Sequence, residues 1–145
     1  MGYKRKAHIV FLSAANRLSL IAEQFANSLG SQWLVGRAAV LAAGSNGTGV
    51  IQIMAEVGLS INDEPLPLLD ATLLQWADLV VTMDNEARAA CPPLPAGVQL
   101  RHYPFADPDC AQLTLAECRQ IRDQVRARIE GMVGGMKLLQ NASAE

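Results

Sequence analysis

The chain has 145 residues, of which half are hydrophobic and 18% are charged, with 12 basic against 14 acidic residues and a net charge of −2. That size fits one domain, that apolar content excludes a disordered chain, and the balance of charge lacks the basic excess of a nucleic-acid binder. The three cysteines, Cys91, Cys110 and Cys118, contain no CxxC spacing and exclude both a disulfide framework and a structural zinc site.

Residues 7–12 (Ala-His-Ile-Val-Phe-Leu) form an apolar run of strand length. A basic start and a following Ser13-Ala14-Ala15 give it a passing likeness to a signal peptide, but the run is short and His8 sits at its edge, so a buried first strand is expected. Its lack of alternation predicts a strand covered on both faces. Leu18, Ile21, Ala22, Phe25 and Leu29 then fall on one helical face, with Asn16 as expected N-cap and Gly30 as stop. Ala38–Ala43 reads as a second strand ending in the loop Gly44–Gly49. Val50, Ile53, Met54 and Val57 repeat the helical spacing up to Gly58. Ser60–Leu69, with Pro65 and Pro67, is an irregular connection.

Asp70 is placed to cap a short helix that buries Leu73, Leu74 and Ala77. Leu79–Met83 is a β-branched strand, Asn85–Cys91 a short helix stopped by Pro92-Pro93, and Val98–Tyr103 a fourth strand. Thr114-Leu-Ala-Glu117 fits a capping box. Cys118, Ile121, Val125, Ile129 and Met132 follow at helical spacing, with Gly134-Gly135 as the expected end. Residues 1–135 are therefore expected to form the domain, and 136–145 a frayed tail. No apolar stretch approaches the ~18 residues of a membrane span, and a cytoplasmic protein is expected.

Strands alternating with helices imply an α/β fold with a parallel sheet between two helical layers. Ligands of such folds bind beyond the C-terminal strand edge, where the strand order reverses. The loop Ser13–Ser19, after strand one, is the default site. Free N–H groups at a helix N-terminus attract anions there, and the same field would ionise a cysteine.

Phe11–Ala26 is similar to the phosphate-binding loop and first helix of the low-molecular-weight protein tyrosine phosphatases, and closer to their relatives, the thioredoxin-coupled arsenate reductases. Further matches follow in family order: Ala43-Gly44, Met54–Leu59, Asp78–Asp84, Cys91-Pro92, His102–Pro108 and the last helix. The resemblance covers nearly the whole chain. It implies a four-stranded parallel sheet in order 2-1-3-4, flanked by helices. It also implies that Asp107 stands where the family carries its general acid, and that Cys91 matches one member of the reductases' redox relay.

The family's active loop reads Cys, five residues, Arg, then Ser or Thr. Here the nucleophile position is Ser13, the loop is one residue shorter, and Leu18 rather than an arginine precedes Ser19. The loop's arginine is Arg17. An alcohol is far less acidic than a thiol, and a relay needs a second thiol where the resemblance places Asp84 and Ser13. The expected protein is thus a catalytically inactive member that binds a protein partner or small ligand. Residual phosphatase or arsenate reductase chemistry through Cys91 and Asp107 is the first alternative. An oxyanion-binding module is the second, using Ser13, Ala14, Ala15, Asn16, Arg17, Leu18 and Ser19. Cys118 reads as a core residue, and His8 and His102 read as structural. Nothing implies a metal, a cofactor, nucleic acid or a membrane. From Ala38 to Ala87 seven carboxylates stand without one Lys or Arg, and Asp63-Glu64 would form an anion-repelling rim by the resemblance.

Overall fold

Residues 9–12 are fully buried because consecutive side chains of β1 (Ala7–Ser13) enter two different cores. Ile9 and Phe11 join one apolar cluster, Val10 and Leu12 another. A strand sandwiched in this way has no polar face, which is why the run does not alternate. The computed structural model describes residues 6–44, 48–106 and 113–144.

Beside β1 lie β2 (Leu34–Val40) on one side and β3 (Leu79–Thr82) on the other, and β4 (Gln99–His102) forms an edge. All pairings are parallel and the order is β2-β1-β3-β4, the arrangement the family resemblance implies. The helices α1 (Leu18–Leu29), α2 (Thr48–Ala55) and α5 (Leu115–Ala144) bury their apolar stripes in the cluster containing Ile9 and Phe11. On the other face, α3 (Ala71–Trp76) and α4 (Asn85–Ala90) supply Leu73, Leu74 and Ala87 to the cluster of Val10 and Leu12. The strand order reverses between β1 and its neighbours, so the β1–α1 loop opens at the sheet's switch point.

Several local signals act as the sequence predicts. Asp70 Oδ1 accepts from the Leu73 N–H at 2.8 Å and caps α3. Thr114 and Glu117 bond reciprocally, the Glu117 N–H donating to Thr114 Oγ1 at 3.1 Å and the Thr114 N–H to Glu117 Oε1 at 3.1 Å. Gly58 adopts φ +83°, which frees the chain to turn after α2. Other boundaries move. β2 runs over Leu34–Val40, earlier than the expected Ala38–Ala43, because its alignment beside β1 is set by main-chain pairing. The Ser60–Leu69 connection returns along the end of β2, where the Val40 N–H donates to the Pro67 carbonyl at 3.0 Å.

Helix α5 does not stop at Gly134-Gly135 but continues to Ala144. Glycine weakens a helix without breaking it, and Met132 and Val133 are still buried against the core at that point. Among the described residues no helix is long and apolar enough to cross a membrane.

A cluster of charges ties α5 to the end of α2. Arg119 donates to Glu56 through Nε at 2.9 Å and Nη2 at 2.7 Å, and Arg122 Nη1 donates to Glu56 at 2.9 Å and to the Ile53 carbonyl at 2.9 Å. The bond from Arg119 is the main reason the Glu56 carboxyl titrates at about 2 rather than 4.5; burial opposes it and the Arg122 bond adds to it. A depressed folded-state pKa contributes stability above the unfolded value and loses it as pH falls through the folded one. Glu56→Gln is therefore expected to lower the unfolding midpoint at neutral pH. It should also flatten the loss of stability between pH 4.5 and about 2, as measured by thermal unfolding across that range.

Candidate functional site

The β1–α1 loop is built around two acceptors, Ser13 and Asp84. Ser13 ends β1 and is fully buried. Its Oγ accepts the Ser19 N–H at 2.8 Å, across the mouth of α1. Asp84 follows β3 and caps α4, with Oδ1 accepting the Ala87 N–H at 2.7 Å. Its other oxygen accepts from the Ala14 N–H at 3.1 Å and from Asn16 Nδ2 at 2.9 Å. One carboxylate thus fastens the start of α4 to the middle of the loop.

The remaining loop residues divide between inward and outward roles. Asn16 Oδ1 accepts the Leu18 N–H at 3.0 Å, so α1 begins at Leu18 with Arg17 in the capping position. Asn16 is not the N-cap, yet its side chain still satisfies the first helical N–H. Leu18, which by the resemblance stands at the arginine position before Ser19, is fully buried in the α1/α5 core. Ala15 is exposed, and its carbonyl oxygen lies so close to Gly44 that any side chain at Gly44 would run into it. The Leu41 and Ala42 N–H groups, both 3.0 Å from the Ala14 carbonyl, hold the loop from the β2 side.

The Arg17 side chain reaches the Asp63–Glu64 segment. It is 8% exposed, and Nη2 donates to the Glu64 carbonyl at 3.2 Å with Asp63 Oδ1 at 3.8 Å. The acidic Asn62–Glu64 segment therefore does lie against the loop, and it engages the arginine. Arg17 Nη1 and Ser19 Oγ are buried without a hydrogen-bond partner among the described residues. The N–H groups of Ala14, Leu18 and Ser19 are bonded internally, whereas those of Ala15, Asn16 and Arg17 donate to none of the described residues. The loop is thus half closed by its own acceptors, and two carboxylates, Asp84 and Asp63, face the groups an oxyanion would need.

The other candidates fall outside this cluster. Asp107 and Cys110 lie outside the described residues. Cys91 caps the end of α4 and packs against the α3/α4 core, its thiol donating weakly to the Pro92 carbonyl at 3.5 Å. Burial pushes the Cys91 thiol pKa up, which disfavours the reactive thiolate. Cys118 is buried in the core as expected, but it is disulfide-bonded and not a free thiol; its spacing on a helix face carried no sign of this. His102 joins three elements, with Nδ1 2.7 Å from Thr82 Oγ1 and Nε2 2.9 Å from Asn85 Oδ1. The same threonine hydroxyl donates to the Arg101 carbonyl at 3.3 Å, so the ring ties β3, β4 and α4 together. His8 stacks on Trp76 with ring centroids 4.2 Å apart, and Arg37 lies 4.6 Å from the centroid of the same indole. Among the described residues no group of three or more His, Cys, Asp or Glu is placed to hold a metal ion.

Asp84 and Gly44 were the residues whose part in the loop was not foreseen. In the sequence Asp84 stood only as the place where the resemblance expects a relay thiol, and Gly44 as part of a loop and of a family turn. Their reach to Ala14, Asn16 and Ala15 depends on strands and loops distant in sequence.

No profile of a known protein family matches the chain. It is 36% identical over 129 residues to an arsenate reductase of Brevibacillus brevis, an alignment that covers 88% of this chain and 94% of that protein. Among solved structures, a thioredoxin-dependent arsenate reductase of Corynebacterium glutamicum superposes with a TM-score of 0.72 at 18% identity, over 92% of this chain but only 62% of that one. The YwlE arginine phosphatase of Geobacillus stearothermophilus superposes with a TM-score of 0.73 at 15% identity, over 94% of this chain and 96% of that one. At those identities the two structures speak for the fold, and the Brevibacillus relative speaks for descent. The chain belongs to the family of low-molecular-weight protein tyrosine phosphatases and their related arsenate reductases.

Proposed function

We propose that this chain is a non-catalytic member of its family, which binds a protein partner or small ligand without turning it over. The observation that carries the reading is the buried Ser13 hydroxyl, bonded to the Ser19 N–H, at the position of the family's thiolate nucleophile. A helix N-terminus can ionise a thiol, but an alcohol needs an adjacent base to attack phosphorus or arsenic. Among the described residues the groups bonded to Ser13 Oγ include no base, and Arg17 is engaged by the Asp63–Glu64 segment. Cys91 favours no alternative route, since burial raises its thiol pKa and it packs on the opposite face of the sheet from α1. Because relatives carry the name arsenate reductase, the purified protein should be assayed with arsenate and a thioredoxin system as well as with p-nitrophenyl phosphate. Equal rates for the natural chain and Ser13→Ala are expected; turnover clearly above Ser13→Ala overturns the reading.

A second reading is favoured by one observation, the buried and unpartnered Arg17 Nη1 and Ser19 Oγ beside three open N–H groups. Unpaired buried polar atoms are costly, and an oxyanion of the size of phosphate could satisfy them. Calorimetric titration with phosphate, sulfate and arsenate tests this. Binding lost in Arg17→Ala supports an oxyanion module, and no heat at millimolar anion removes it.

A further inference from the structure

We propose that the cleft between β4 and α5 docks an extended acidic segment of a partner protein, which adds to the sheet beside β4. The proposal stands whether or not residues 13–19 turn over a substrate. The Gln99 N–H donates to the Asp78 carbonyl at 3.1 Å and the Tyr103 N–H to the Thr82 carbonyl at 2.9 Å. In a parallel pair alternate residues bond to the same neighbour, so the main-chain groups of Leu100 and His102 face the open edge. Leu100 is itself 45% exposed. An edge of this kind is a template for a further strand.

Next to that edge runs a cleft of about 650 Å³ lined by Arg101, Tyr103, Arg128, Gly131, Met132 and Gly135, among others. A second depression of about 540 Å³ shares Tyr103 and Arg128 and extends the cleft toward Phe105. A side chain at Gly131 or Gly135 would meet nothing, so the helix leaves its surface open along the cleft. Tyr103 is only 9% exposed and lines both depressions.

Charge identifies the occupant. Among the described residues no Asp or Glu lines either depression. Elsewhere on α5, Arg119, Arg122 and Arg126 each pair with a carboxylate, while Arg101 and Arg128 pair with none among the described residues. The Arg128 guanidinium instead lies over the Tyr103 ring, 4.2 Å from its centroid. Two arginines without a carboxylate partner among the described residues, flanking an open strand edge, suit a peptide that offers main-chain groups to β4 and carboxylates to the cleft. A nucleic acid could use the arginines but not the edge.

The test uses the full chain and a fluorescein-labelled octapeptide of alternating Glu and Val, with a Glu-Pro octapeptide that cannot pair as a strand. Fluorescence anisotropy should show saturable, salt-sensitive binding of the first peptide only. Arg101→Glu combined with Arg128→Glu should weaken it by at least about tenfold. Gly135→Leu, which fills the cleft, should abolish it, and Arg101→Glu alone at an exposed position carries the test if the leucine variant does not fold. In hydrogen-exchange NMR the Leu100 and His102 amides should gain protection on binding. No saturable binding at millimolar peptide overturns the proposal. So do equal binding of the Glu-Pro peptide, binding unchanged by Arg101→Glu, capture of oligothymidylate in place of the peptide, or self-association through the same cleft that Gly135→Leu removes.

Discussion

Ser13→Cys is expected to leave the protein inert toward p-nitrophenyl phosphate and toward arsenate with thioredoxin. The new thiol would sit at the α1 N-terminus and receive the Ser19 N–H, so the field for ionisation is partly present. What is missing is the rest of the transition-state site. Leu18 is fully buried where the family carries arginine, and Arg17, one position earlier, is committed to the Glu64 carbonyl and Asp63. Without a guanidinium fork on the oxyanion, neither binding nor charge stabilisation is supplied at the reacting centre. Asp84 also occupies the Ala14 N–H with a carboxylate, adding repulsion where negative charge would develop. Leu18→Arg does not repair this, because it would put a cation into the α1/α5 core. Steady-state rates should match Ser13→Ala. A rate more than about tenfold higher, worth about 1.4 kcal/mol of transition-state stabilisation, would show the loop to be competent.

Asp84→Ala is expected to be the most damaging change among the polar residues of the loop. It removes the α4 cap and two bonds to the loop at once, from the Ala14 N–H and the Asn16 side chain. A lost cap costs ~0.5–2 kcal/mol, and a hydrogen bond to a charged acceptor contributes roughly 1.5–3 kcal/mol. Since the three bonds share one side chain their effects overlap, and a total on the order of 3 kcal/mol is expected. For a domain of this size that lowers the unfolding midpoint by about 10 °C. Asp84→Asn should fall between, keeping the α4 cap while presenting one amide to two loop donors. Chemical denaturation of the three proteins checks the order. A loss below about 1 kcal/mol for Asp84→Ala would mean that the carboxylate does not organise the loop.

The fold was legible because its signals are local. The apolar run of residues 7–12, the Asp70 and Thr114 caps, the Gly30 and Gly58 stops and the stripe from Cys118 to Met132 depend on near neighbours. The boundaries that moved are those set by distant partners. β2 begins at Leu34 because it aligns with β1, and α5 crosses Gly134-Gly135 because residues 132–133 still pack on the core.

For the site, the sequence by itself determined which residues stand where the resemblance places the family's active loop. By that resemblance Ser13 stands at the thiol position, the loop is one residue shorter, and Leu18 stands at the arginine position. Residue identity and spacing suffice for that, since an alcohol cannot become a thiolate whatever surrounds it. Only the tertiary structure decided what the loop does with the groups it retains. Asp84, 68 positions from Asn16, takes the loop's donors, and Glu64, 47 positions from Arg17, takes its guanidinium. Bonds of that kind arise where parallel strands bring their C-terminal ends to one edge of the sheet, a juxtaposition that strand pairing creates and local sequence does not record.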